Sequence, residues 1–464
     1  MKSRLTRNRL RTVLVYLLML VAGVGGYLLI NQRGEALFGQ NMPPVDPAQA
    51  KESVNQLLHV LLALATVIVT ARAVGAIFKL LRQPPVIGEV IGGILLGPSF
   101  LGRMAPEWYA FILPPSAAPF LGVIAQLGVI FYMFVVGLEL DLKVLRKSGH
   151  ATLAISHASI MVPFLLGSCL ALWIYPTMST PDISFTAFSL FLGVSMSVTA
   201  FPVLARILTD RGIQKSRMGA IALTCAAVDD VTAWCLLAFV VSIVQAKVGG
   251  AILTLTLTAV YIAMMFLIGG PLIRRLVPWL ETWDELTEGG IAIFFVGLLI
   301  SALATEFIGI HAIFGAFLLG AITPHDSRVA KELTDRIEDL VRIMFLPAFF
   351  AFTGMRTQVS LVSTQEEWML CGVIILVATI GKFGGTLAAA KLTGLNWRDS
   401  SALGILMNTR GLVELIVLNL GLDLKVISPQ LFTMLVIMAL VTTFATAPIL
   451  ELITRNHPWE KNPT

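Results

Sequence analysis

Charge is what this 464-residue chain has least of: Asp, Glu, Lys and Arg make up 13% of it, where a soluble globular chain carries about 25%. With 56% hydrophobic residues, that scarcity excludes water as the main solvent of the fold. No polar block long enough to fold alone interrupts the apolar runs between residues 12 and 452, so one membrane domain is expected. Cysteine is also sparse. Cys169, Cys225, Cys235 and Cys371 all lie in apolar runs with neither CxxC nor metal-ligand spacing, and are expected as small buried hydrophobes. There is no GxGxxG segment for a nucleotide and no GxGD segment of an intramembrane aspartyl protease. The net charge of +5 is spread over short connections and forms no continuous stripe, so no nucleic-acid partner is expected.

What the chain has in abundance is spans. A helix crossing the hydrocarbon needs about 20 mainly apolar residues, and by that rule a leader at 12–30 precedes thirteen further spans. Seven fall at 56–78, 84–101, 121–138, 152–173, 184–207, 218–244 and 252–272. Six more follow at 289–303, 309–322, 341–355, 369–390, 401–420 and 430–453. The leader follows Lys2, Arg4, Arg7, Arg9 and Arg11, so residues 1–30 read as a signal anchor or signal peptide. Residues 31–55 then form an extracytoplasmic linker, 56–453 the transmembrane domain and 454–464 a short cytoplasmic tail.

The basic residues support this alternation. Lys79 and Arg82, Lys143, Arg146 and Lys147, Arg206 to Arg217, Arg274 and Arg275, Arg328 to Arg342, Lys391 and Arg398, and the tail fall on one side. The other receives only Arg33, Lys51, Arg103, Lys247, Arg356 and Lys425. Such asymmetry places the first side, and the C-terminus, in the cytoplasm. The thirteen spans divide into a first repeat (56–244), a linker helix (252–272) and an inverted second repeat (289–453), the arrangement of inverted-repeat transporters. The fifth span of each repeat is interrupted by polar, helix-weakening residues: Ser197, Thr199 and Pro202 in one, Asn408, Thr409, Arg410 and Gly411 in the other. Broken backbone at membrane depth is tolerated only against protein or water, so a crossing pair of broken helices is expected.

Ionisable side chains at that depth cost about 2.5–3.5 kcal/mol on insertion scales, and each needs a reason. Asp229 and Asp230 stand together in an apolar run. Neighbouring helical positions point about 100° apart, so one carboxylate can face a cavity while the other pairs within the bundle. A carboxylate in such surroundings takes a proton or a cation, but hardly both, and the two should titrate as a coupled unit. That competition is the chemical core of an antiporter. Lys382, in mid-span between Gly381 and Gly384, needs a carboxylate, with Asp229 or Asp230 the candidates. Arg410 and Glu414, four apart, share a helix face and can neutralise each other; Glu89 has no near partner in sequence and could reach Arg410 or Arg72.

Five motifs in order carry a resemblance: Gln83-Pro-Pro-Val-Ile-Gly-Glu-Val-Ile-Gly-Gly-Ile-Leu-Leu-Gly-Pro98, Phe131-Tyr-Met-Phe-Val-Val-Gly-Leu-Glu-Leu140, Val228-Asp-Asp230, Gly309-Ile-His-Ala-Ile-Phe-Gly-Ala-Phe317 and Asn408-Thr-Arg-Gly-Leu-Val-Glu414. Together they resemble the monovalent cation:proton antiporter-2 family, the last of them its plant cation/H⁺ exchangers in particular. The resemblance implies an all-α sodium/proton antiporter fold, a homodimer, and elevator-like exchange of Na⁺ or K⁺ for H⁺ in the cell (inner) membrane. It also implies that Thr199, Asp229, Asp230 and Lys382 surround a transient ion site, with Ser197, Pro202, Asn408, Thr409, Arg410, Glu414 and Glu89 in support and no cofactor. An Asp pair with Lys is the pattern of charge-moving exchangers of this fold. Kef-type relatives carry a C-terminal nucleotide-binding domain, and ligand gating of that kind is not expected. A cation channel, which needs neither the Asp pair nor the lysine, and a symporter on the same fold are the alternatives.

Overall fold

The computed structural model describes residues 21, 25, 47–81, 83–139, 150–180, 183–211, 213, 216–245, 251–282 and 287–454. Apart from residues 21 and 25, the expected leader lies outside them, as do the tail beyond Thr454 and the basic connection holding Lys143, Arg146 and Lys147. The chain divides into two units, 1–58 and 59–464, of which the second holds nearly all of the expected membrane domain. Among the described residues there is no strand.

Every expected span from residue 56 onward coincides with helix. The first half gives α1 (Pro47–Leu80), α2 (Pro85–Leu96), α3 (Ala118–Glu139), α4 (His150–Met178), α5 (Phe185–Ser197), α6 (Phe201–Asp210) and α7 (Arg217–Gln245). α8 (Ala251–Met264) continues through a π-turn into α9 (Gly270–Leu280). The second half gives α10 (Glu288–Ile308), α11 (Ala312–Ile322), α12 (Arg328–Leu340), α13 (Leu346–Arg356), α14 (Gln365–Thr379), α15 (Gly385–Leu392), α16 (Trp397–Met407), α17 (Leu412–Asp423) and α18 (Pro429–Thr454). α1 starts at Pro47, earlier than the expected 56, so part of the expected linker is helical.

Nine of these helices or continuous pairs, among the described residues, are long and apolar enough to cross a bilayer, and the bent pair α16/α17 makes up to ten. The shortfall from thirteen has local causes. α5 and α6 are halves of a broken span, α11 has only 11 residues, and α13 is the apolar end of a helix whose first part, α12, is charged. Side-chain caps begin several helices: Ser184, Thr287, Ser327 and Asn396 accept from backbone N–H groups of the first turn, and Thr364 with Glu367 forms a capping box at α14. Each satisfies donors that a helix start leaves open.

The helices pack in two groups. One comprises α1, α2, α3, α10, α11, α12 and α13; the other comprises α4 to α7 and α14 to α18. α8 lies between them, touching α7 and α10. In the first group α2 and α13 cross backbone to backbone: a Cβ on Gly93 would lie 2.1 Å from the Ala351 carbonyl oxygen, and one on Gly354 2.1 Å from that of Val90. Small residues permit such an approach where lipid supplies no hydrophobic drive between helices. The groups meet where α13 touches α17 and α2 touches α18. There Arg356 donates to Asn419 at 3.0 Å and pairs with Asp423 at 2.5 Å, while Asn419 donates to Thr353 at 2.8 Å.

The cysteine expectation needs correction. Cys225 and Cys371 are buried, but Cys169 and Cys235 are exposed. Their outer surroundings in a bilayer are hydrocarbon, which gives an apolar thiol no reason to turn inward.

Candidate functional site

The broken spans meet in the second group. α5 stops at Ser197, where Val198 turns extended, and α6 starts at Phe201; α16 stops at Met407 and α17 starts at Leu412, bent by 44°. The Ala200 N–H donates to the Thr409 carbonyl across the crossing at 3.0 Å. Thr443 of α18 holds the second break from both sides, accepting from the Arg410 N–H at 2.9 Å and donating to the Arg410 carbonyl at 2.7 Å.

Breaking a helix leaves carbonyls unpaired at its carboxyl end, a partial negative charge. Two cations answer it at α5. Arg410 donates to the carbonyls of Ser195 at 3.0 Å and Met196 at 2.7 Å, and Lys382 Nζ donates to that of Ser197 at 2.5 Å. Arg410 also pairs with Glu414 at 2.9 Å, both with 0% side-chain exposure. Glu414 stands in the first turn of α17, where negative charge suits the helix dipole.

Lys382 sits in a π-turn, Ile380–Gly384, that joins α14 to α15. Gly381 and Gly385 lie against α4: a Cβ on Gly381 would fall 2.7 Å from Pro163 Cα, and one on Gly385 2.8 Å from Val162 Cβ. The close approach brings Lys382 and two serines of α4 to the same carboxylate. Asp229 Oδ1 accepts from Ser156 at 2.6 Å. Asp229 Oδ2 accepts from Ser159 at 2.6 Å, Thr199 at 2.7 Å and Lys382 Nζ at 3.0 Å.

Asp230 has a different setting. Its carboxylate accepts from the Phe201 backbone N–H at the head of α6, and its Oδ1 has no hydrogen-bond partner among the described residues. It lies on the wall of a cavity of about 950 Å³ that also reaches Arg72, Glu89, Tyr132, Glu139, Glu338 and Arg342. The cavity runs between the groups, with walls from α2, α3 and α12 on one side and α6 and α7 on the other.

The structure therefore brings Thr199, Asp229, Lys382 and the Ser197 carbonyl together, with Asp230 beside them facing the cavity. Asn408, Thr409, Arg410 and Glu414 form the neighbouring break; the Asn408 Oδ1 and Thr409 Oγ1 atoms are buried without hydrogen-bond partners among the described residues. Glu89 stands on the cavity wall in the first group, together with Arg72. Pro202 is the second residue of α6, its side chain outside the described atoms. Ser156 and Ser159 are site residues that sequence reasoning misses. Their signal is a polar pair at i, i+3 in an apolar run, a spacing that puts both on one helix face. Among the described residues no cluster of three or more His, Cys, Asp or Glu could hold a metal ion.

Comparison with known proteins agrees with this architecture. Residues 63–452 match the family described as sodium/hydrogen exchanger, transmembrane. The chain is 42% identical over 401 residues to the Na(+)/H(+) antiporter NhaS4 of Synechocystis sp., covering 86% of this chain and 98% of that one. It is 39% identical over 405 residues to Cation/H(+) antiporter 20 of Arabidopsis thaliana, covering 84% of this chain and 48% of the plant protein, so it spans about half of that relative. Among solved structures, the sodium proton antiporter MjNhaP1 from Methanocaldococcus jannaschii superposes with a TM-score of 0.53 over 86% of this chain and 97% of that one, at 14% identity. The fold is that of a sodium/proton antiporter, and the chain is a multi-pass membrane protein that belongs to the transmembrane sodium/hydrogen exchanger family.

Proposed function

We propose that the protein exchanges a monovalent cation, Na⁺ or K⁺, for H⁺, and that Asp230 is the carboxylate on which the two compete. One observation carries the reading: of the two adjacent aspartates, Asp229 is enclosed by four donors while Asp230 has an oxygen without a partner on the wall of a large cavity. An anion so placed attracts a cation, and a proton on the same oxygen abolishes that attraction. The names of the relatives, a Na(+)/H(+) antiporter and a cation/H(+) antiporter, support the same chemistry.

The cavity ends beside Glu139, Glu338 and Arg342, near the connections rich in Lys and Arg. On the positive-inside rule this side is cytoplasmic, so the site is reached here from the cytoplasm. The exchanging residues all belong to one packing group. Sliding of that group against the other, elevator fashion, carries the site across while its own contacts stay whole. The first group is the surface for a homodimer in the cell (inner) membrane, with the C-terminus in the cytoplasm.

The test uses purified protein in proteoliposomes under an imposed pH gradient, with Na⁺ and K⁺ compared. The expected result is uphill cation movement driven by the gradient, which no channel produces, and its loss in Asp230→Asn. Uphill exchange that survives Asp230→Asn would refute the site.

A further inference from the structure

The cavity stops at Asp230, and the exchange reading leaves open what keeps a cation held there from running on to the far side. Along α7 from its Arg217 end, Asp230 and Val231 are the last residues on the cavity wall, and α11 contributes Phe317. The next turn of each helix is closed. Trp234, four residues past Asp230 and so on the same face of α7, is 2% exposed. Its ring stacks on that of Phe317 at 6.3 Å between centroids and meets that of Phe314 edge to face at 5.8 Å. Neither Trp234 nor Phe314 lines the cavity. Leu237 and Val241 continue the face and are wholly buried.

Rings in these two arrangements attract beyond the area they bury, and an apolar constriction stops an ion by excluding its water. The contact also joins the two packing groups, since α7 belongs to one and α11 to the other. One atom in it is left over. A buried indole N–H usually finds an acceptor, yet Trp234 Nε1 is buried with no hydrogen-bond partner among the described residues. Stranding a donor is costly, and a permanent core position of this shape would be served by phenylalanine, which has none. A ring that lies dry in one state and meets water in the other bears that cost only in the first.

We propose that Trp234 is the barrier residue of the exchange: its indole, wedged against Phe314 and Phe317, seals the slot between the groups one turn beyond Asp230, and it parts from both rings when the site turns outward. The assignment rests on the exchange reading and adds what makes the exchange obligatory. A cation at Asp230 then has a route back into the cavity and none onward until the groups have moved.

The experiment measures cation accumulation by the full chain in proteoliposomes, with Na⁺ and K⁺ each as probe and protein-free vesicles as the blank. The plateau reports coupling, whereas turnover sets only the time taken to reach it. Under a clamped proton gradient of about tenfold, at zero membrane potential, the wild type is expected to plateau at about tenfold or more. Trp234→Ala, and Phe314→Ala on the opposite wall, are expected to plateau near unity and to let preloaded cation escape faster than the blank. Trp234→Phe, which keeps a ring, is expected to hold the wild-type plateau.

An alanine variant at either wall that reaches the wild-type plateau, however slowly, overturns the proposal, because the rings are then packing and nothing more. So do alanine variants that neither accumulate cation nor leak it, and so does a Trp234→Phe that leaks as Trp234→Ala does. If the wild type itself accumulates neither cation, the exchange reading fails, a result distinct from a wild type that accumulates beside variants that do not leak.

Discussion

Arg410 is the side chain on which the crossing most depends, and its replacement by Met gives a prediction with a magnitude. The guanidinium has 0% exposure, pairs with an equally buried Glu414 at 2.9 Å and caps the carbonyls of Ser195 and Met196 at 3.0 and 2.7 Å. Removing one member of a buried ion pair leaves the other uncompensated and costs about 3–5 kcal/mol, and each orphaned carbonyl adds up to about 1–3 kcal/mol. Arg410→Met alone is therefore expected to lose at least ~3 kcal/mol. Adding Glu414→Gln removes the stranded negative charge but not the orphaned carbonyls, so the double variant regains part of the loss and no more. The expected order of thermal midpoints, read by intrinsic tryptophan fluorescence in detergent micelles, is wild type, then Arg410→Met/Glu414→Gln, then Arg410→Met. If the double variant melts below the single one, the pairing argument is wrong. If Arg410→Met melts with the wild type, the half-helix end does not need its cation.

Two further substitutions test the packing and the motion. Gly381→Ala drives a methyl to within 2.7 Å of Pro163 Cα, while Gly384→Ala meets nothing within 4 Å; the first should lower the melting midpoint and abolish exchange, and the second should be neutral or stabilise by about 0.4–1 kcal/mol. Equal behaviour of the two would refute the close approach of α4 to the π-turn. Arg356→Gln severs a hydrogen bond and an ion pair that tie α13 to α17 across the two groups. The pair is partly solvent-screened, at 25% and 40% exposure, so it contributes at most about 1 kcal/mol and the bond to Asn419 about as much. A loss of ~1–2 kcal/mol confined to the cytoplasm-open state shifts the population about 5- to 30-fold towards the opposite one. The check is the rate at which a water-soluble thiol reagent modifies a cysteine placed at Thr224 on the cavity wall, which should fall; an unchanged rate would show that the contact does not discriminate between states.

Much of the fold was legible in the sequence because the bilayer limits the choices. Apolar length gave the helices, and the interruptions at 197–202 and 408–411 lie where the helices break. The Asp pair and Lys382 stood out because buried charge is costly and rare. A serine alone carries no such signal: one hydroxyl in an apolar helix commonly bonds back to its own backbone, and only the three-dimensional approach of α4 to α7 shows that Ser156 and Ser159 also reach Asp229. Which aspartate is enclosed was equally out of reach, since adjacency fixes only that the two point differently. Apolar surroundings in sequence imply burial only when the outside is water, which is why Cys169 and Cys235 stand exposed.

The π-turn at Ile380–Gly384 has a consequence for how such a site arises. A π-turn holds one more residue than the α-turn it replaces, so along the chain it is equivalent to a single inserted amino acid. Excising one residue there would let α14 run on as regular helix, keep the facing of the residues beyond the turn nearly unchanged and re-aim those inside it, Lys382 among them. The ammonium would then point elsewhere with scarcely any change in composition. A single-codon event, invisible to hydropathy, is enough to install or remove the cationic partner of the site.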